Sequence, residues 1–443
     1  MKDKAMHYDM ILRDGICVFP WGEEANDIGV CDGRITSLSV PKDATADNVI
    51  QAAGLHLLPG LIDSHVHLRD PGDPEVETVY TGTRAAVLGG ICTVFDMPNT
   101  SPAIDNAERL EEKRDYAAEK SWCDIGLYVA GTKANIDDLI NLEAQFGVCA
   151  IKVFAGSTRL ELLVDDDVSL ENIMRSGRRT IAYHSEDEAR LQERRKLFQA
   201  GEPHEIHMDW HDVECAVLGT RRILALARKT GRTAHILHVS TAEELKLLKD
   251  HRDIASVELL VNQLTQIAPE CYERLGGLAV MNPPIRDRRH YDACWEAVRD
   301  GLVDTIASDH APHSRAAKDL PWPDCAAGLT GVQTIVPVML DHVSAGRLSL
   351  ARLADLMAAG PARIYGMVGK GRLAAGYDAD FTLVDLKRRR RIEENWIASP
   401  CGWSPFSGMT VTGWPTMTVI RGKVVMREDE VIGVPQGRPV RFR

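Results

Sequence analysis

None of the ten cysteines stands in a CxxC pair, and they are scattered singly rather than at the spacings of a disulfide framework. That excludes a disulfide-stapled scaffold and fits a reducing compartment. No apolar stretch reaches 18 residues, and the opening MKDKAMHYDMILRDG has no apolar core of a secretion signal. Both absences predict a cytoplasmic protein without a membrane segment. Positive charge is in short supply: 52 lysines and arginines face 64 aspartates and glutamates, a net charge of −12. This balance argues against nucleic acid as a partner and for a small-molecule substrate. The one arginine-rich run, Lys387–Arg391, reads as a solvated loop. Internal repeats are missing too, and no GxGxxG opens the first strand-to-helix turn, which weakens a dinucleotide-binding open sheet.

What is present has two characters. Residues 1–58 and 368–443 carry short alternating apolar runs broken at glycines such as Gly15, Gly33 and Gly54, the pattern of a β-meander. The two ends are expected to combine into one small β-rich domain. Between them, residues 59–367 alternate strand-like runs with helical ones. Eight strands are expected near 60–68, 90–98, 124–131, 149–156, 179–186, 234–240, 256–263 and 303–310. Eight α/β repeats predict a (β/α)8 TIM-like barrel.

Polar residues collect where these strands end. The first supplies His65 and His67, the fourth Lys152, the fifth His184, the sixth His238 and the eighth Asp309. Strand ends converge on one mouth in a barrel, and residues two apart on a strand face the same side. Four imidazoles and a carboxylate suit Zn²⁺. Singly, each has a bland explanation: HxH as a surface pair, His238 as a core histidine, Asp309 as a cap. Placement on five of eight strands favours a shared site. Lys152 cannot ligate a cation as an ammonium; either it pairs with an acid at the mouth, or it loses its proton and adds CO₂ to become a carbamate. His207 and His211 share a helical spacing, but no glutamate follows as in HExxH, so a structural or solvent-facing role is expected.

The ordered set HVH…K…H…H…D, with "DSHVHLRDPG", "DMPNT", "IKVFAGS", "HSED", "HVST", "NPPIR" and "SDHAPH", resembles the amidohydrolase superfamily and, within it, the dihydroorotases. The likeness runs from about residue 8 to 427. It implies metal-assisted hydrolysis of a cyclic amide, with one or two Zn²⁺ ions. His65, His67 and Asp309 would hold one, His184 and His238 the other, and carbamylated Lys152 would bridge them. Asp309 would also shuttle the proton to the leaving nitrogen. The same resemblance assigns Arg69 and Asn99 to a substrate carboxylate, with Asn282, His313 and backbone groups at Gly328 completing the contacts. A homodimer or higher homo-oligomer is implied as well. For Arg69 the bland alternative is a surface salt bridge to Asp70 or Asp73. Two stretches depart from the family pattern: "LVNQLTQIAPE" after strand seven, and Ala326–Ala327 before Gly328. They leave open a related substrate such as allantoin, a hydantoin or a dihydropyrimidine. An inactive barrel serving as assembly partner to a transcarbamoylase is the third reading.

Overall fold

The structure is a computed structural model and describes residues 6–443. Its strands are β1 (His7–Phe19), β2 (Gly22–Cys31), β3 (Arg34–Ser37), β4 (Thr45–Gln51), β5 (His56–Pro59), β6 (Leu61–Val66), β7 (Ile91–Asp96), β8 (Asp124–Ala130), β9 (Val148–Phe154), β10 (Ile181–His184), β11 (Ala234–Ile236), β12 (Ala255–Leu260), β13 (Thr305–Ala307), β14 (Phe381–Arg391), β15 (Thr410–Ile420), β16 (Lys423–Arg427) and β17 (Glu430–Val431). Strands β6 to β13 lie side by side in chain order, every neighbouring pair parallel. A parallel bridge from Val66 to His310 brings the last strand's exit back to the first. This is the expected eight-stranded barrel. Its strands are almost continuously buried, as follows when side chains fill one face and helices cover the other.

One helix shows how the sequence builds the outer layer. Val213–Thr230 is capped by Asp212, whose side chain accepts from the Cys215 amide, and ends at Gly231 in the left-handed conformation. Cys215, Gly219, Ile223 and Leu226 recur three to four apart on its buried face. A Cβ on Gly219 would lie 1.3 Å from the Ser185 carbonyl oxygen. Only glycine lets this helix press onto the backbone beside His184.

The ends of the chain form one nine-stranded mixed sheet, in which β5 pairs with β14. It is not a simple meander. β1–β2–β3 is antiparallel, but β4 and β5 both run parallel to β1. Lys387–Arg391, expected as a loop, is the outer half of β14, whose last three residues, Arg389–Arg391, pair with Thr410–Thr412 of β15. Its alternate side chains find acids, Arg388 at Glu428 and Arg390 at Asp429, which is how a strand carries such a charge run. Buried charge also joins the sheet to the barrel. Asp124, Asp378 and Asp380 surround the Lys370 ammonium, so this carboxylate cluster holds a lysine. No helix among the described residues is long and apolar enough to cross a membrane.

Candidate active site

The exits of the barrel strands surround a cavity of about 400 Å³. His65, His67, Arg69, Asn99, Lys152, His184, His238, Asn282, Asp309, His313 and Gly328 all line it. Chain segments from 65 to 328 are thus brought to one mouth. His238 and Asp309 lie just beyond their strands, with φ of +39° and +47°. These strained backbones aim the two side chains inward.

The histidines are held in a common way. His65 Nδ1 lies 2.8 Å from Glu258 Oε1, and its Nε2 is 3.2 Å from Asp309 Oδ1. His67 Nδ1 lies 2.7 Å from Asn99 Oδ1, and its Nε2 is 3.1 Å from the same Asp309 oxygen. His184 turns Nε2 to Glu186 Oε2 at 2.7 Å, leaving Nδ1. In each of these three rings one nitrogen is anchored by an outer oxygen, while the other, turned to Asp309 in His65 and His67, is the one available to a metal, the arrangement that fixes metal-ligating imidazoles. Burial lowers the pKa of His67 to about 4 and also depresses His184 and His238. They are therefore neutral near pH 7, with a lone pair to give. Burial would raise the Asp309 carboxyl, but His65 and His67 hold it well below the ordinary carboxylate value. His65, His238 and Asp309 each bring one ligand atom within 4.8 Å of the others. The donor set fits a divalent cation such as Zn²⁺.

Lys152 is buried, with its Nζ 4.5 Å from the centre of the Phe154 ring. It forms no ion pair among the described residues, so the acid-paired alternative does not hold. Burial, opposed by the charges of Asp309 and Glu258, brings its pKa down to about 7. A substantial share of the amine is then unprotonated near neutral pH.

Arg69 also forms no ion pair among the described residues; the bridge to Asp70 or Asp73 is not made. Its Nε donates to the Pro312 carbonyl at 3.1 Å, and Nη2 lies 3.3 Å from His313 Nε2. Burial lowers its pKa. Gly328 differs from expectation. Its amide N–H is already given to the Val280 carbonyl at 3.0 Å, and its carbonyl accepts from Lys318 at 2.9 Å. Only the second lone pair of that carbonyl remains for a ligand. Its φ of +150°, and an Ala311 oxygen 2.5 Å from where a Cβ would stand, explain the glycine.

Several residues here were missed in the sequence. Glu258 and Glu186 anchor His65 and His184, and both are fully enclosed. A glutamate inside the apolar run "SVELLVNQ" was a usable signal, since a buried carboxylate needs partners. Arg159 also lines the cavity and donates to the Thr100 carbonyl at 2.7 Å. His207 and His211 are not solvent-facing: both are buried, His211 bonded to Glu186 and His207 to Asn282.

The amidohydrolase family model matches residues 56–425. A dihydroorotase of Pyrococcus furiosus is 34% identical over 93% of this chain and 92% of its own length. An allantoinase of Deinococcus radiodurans is 33% identical over 99% of this chain and 100% of its own. Among solved structures, an L-hydantoinase (dihydropyrimidinase) from Arthrobacter aurescens superposes with a TM-score of 0.94 at 27% identity, covering 98% of this chain and 100% of that one. Barrel, split sheet, converging histidines and these likenesses agree: the chain belongs to the amidohydrolase family.

Proposed function

We propose that this enzyme is a zinc-dependent hydrolase of a cyclic amide, interconverting L-dihydroorotate and N-carbamoyl-L-aspartate in pyrimidine synthesis. The observation that carries the substrate is Arg69, a guanidinium without a carboxylate partner in the cavity that also holds His67 and Asp309. Dihydroorotate brings a ring carboxylate, which a guanidinium grips with two parallel charge-assisted bonds. His313 lies beside Arg69 at 3.3 Å, and Asn99 lines the same cavity.

His65, His67 and Asp309 would hold one zinc ion, and His184 with His238 a second, bridged by Lys152 as its carbamate. The low amine pKa of Lys152 supports that modification, because only the free base adds CO₂. Bound zinc would supply a water of lowered pKa and polarise the amide carbonyl. Asp309, ionised throughout the working range, accepts the proton of the attacking water. It returns that proton to the ring nitrogen as the amide bond breaks. Arg69 meanwhile keeps the ring in place through its carboxylate, and the same residues run the reverse closure.

The test is turnover of dihydroorotate beside allantoin, hydantoin and dihydrouracil, with and without zinc, in wild type and Arg69→Ala. Two lost charge-assisted bonds, at about 1.5–3 kcal/mol each, predict at least a hundredfold fall in kcat/KM, mostly through KM. Wild-type turnover of dihydroorotate in that variant would end the reading. The full-length match to an allantoinase, together with Ala326 and Ala327 at the cavity loop, supports a second reading with an uncharged ring. In that case allantoin or a hydantoin outperforms dihydroorotate, and Arg69→Ala matters little.

A further inference from the structure

Four segments far apart in sequence meet behind the substrate side of the cavity. Trp322 Nε1 lies 3.3 Å from His207 Nδ1, and His207 Nε2 lies 2.6 Å from Asn282 Oδ1. Asn282 Nδ2 in turn lies 2.8 Å from Ser157 Oγ, and both Asn282 and Ser157 line the cavity. The direction of this chain follows from its first member. An indole N–H only donates, so His207 Nδ1 must be the acceptor. A neutral imidazole then carries its proton on Nε2 and donates it to the asparagine. The atom of Asn282 facing His207 is therefore the oxygen, and the amide nitrogen is turned the other way. One of its hydrogens goes to Ser157 and the second is left for the cavity.

Each link is held in place. Trp322 is buried, with Phe198 and Trp210 edge-on at 6.1 and 5.9 Å and the Arg195 guanidinium 4.9 Å from its ring. The His207 ring packs 4.6 Å from that of His211, and burial pushes its pKa down to about 3, consistent with a neutral ring. An asparagine amide alone can flip and present either end; this one has a fixed polarity.

We propose that Trp322 and His207 are positioning residues that lock the Asn282 amide with its nitrogen toward Ser157 and the cavity. This edge of the pocket accordingly accepts a carbonyl or carboxylate oxygen and rejects a donor. The assignment deepens the cyclic-amide reading and rests on it only for the identity of the ligand oxygen.

The test uses the full-length enzyme labelled with ¹⁵N-histidine. In wild type near neutral pH, His207 is expected as a neutral ring protonated at Nε2 with an acceptor-type Nδ1. In Trp322→Phe, which keeps an aromatic ring but no donor, both tautomers should be populated. The KM for whichever cyclic amide the wild type turns over best should rise about fivefold, the loss of one neutral hydrogen bond, with kcat little changed. A purely structural role would leave the tautomer alone. An Nδ1-protonated His207 in wild type overturns the proposal even if the variant fails to fold. So does a Trp322→Phe enzyme with unchanged tautomer and KM. Preference for an uncharged ring would remove the dihydroorotate reading while leaving the tautomer result standing.

Discussion

Replacing Glu258 by glutamine changes one buried carboxylate into an amide of the same shape. The side chain is fully enclosed and meets His65 Nδ1 at 2.8 Å, the His238 amide at 3.4 Å and Ser64 Oγ at 3.4 Å. Burial alone would raise its pKa, yet the charges of His65 and His235 bring it below the ordinary value. Treated as a full ion pair at 2.8 Å with an effective dielectric of 20, the contact with His65 would be worth about 6 kcal/mol. That figure is an upper bound, because the His65 imidazole would be neutral when it ligates a cation as proposed above. What remains is a hydrogen bond to a charged acceptor, about 1.5–3 kcal/mol. If this bond orients His65 and raises its basicity, Glu258→Gln should weaken zinc binding about 10- to 100-fold. The assay is competition for zinc against a chelator, with circular dichroism to confirm that the variant is folded. A folded glutamine variant that binds zinc as tightly as wild type would refute the orienting role.

Gly328→Ala should be destabilised by about 1–3 kcal/mol from φ strain alone and show a raised KM, because the new Cβ meets the Ala311 oxygen and the His313 ring; thermal unfolding and kinetics check it. Lys318 is buried and donates to the carbonyls of Val280, Ala326 and Gly328. Lys318→Met removes a donor from all three and leaves the Gly328 carbonyl with none among the described residues, while Val280 keeps the Gly328 amide; it should cost about 3 kcal/mol in chemical unfolding, with a higher KM as the Ala327–Gly328 loop loosens. Burial lowers His342 from an ordinary 6.5 to about 4 in the folded state. The unfolded chain therefore takes up the proton first as pH falls. Its contribution is complete above pH 6.5 and is lost between 6.5 and 4, at about 1.4 kcal/mol per pH unit. Unfolding of metal-free protein at pH 7, 6 and 5 should show a shallower slope in His342→Gln, and an unchanged slope would refute it.

The barrel was legible in the sequence because each strand is buried on both faces. An apolar run ending in a polar residue is then a local signature, and His65, His67, Lys152, His184, His238 and Asp309 could be read one strand at a time. Charge misled at Lys387–Arg391, where a run that looks like a loop is a strand whose acids come from Glu428 and Asp429. Helical spacing suggested that His207 and His211 belong together without revealing what they face. By itself, then, the sequence determined the alternation that makes a barrel and the residue types that gather at its mouth. Only tertiary structure decided which ring nitrogen each histidine offers, since Glu258 meets His65 across 193 positions and Trp322 meets His207 across 115. Hydrogen bonds of that span leave no trace in periodicity or spacing; they exist only once folding has closed the chain on itself.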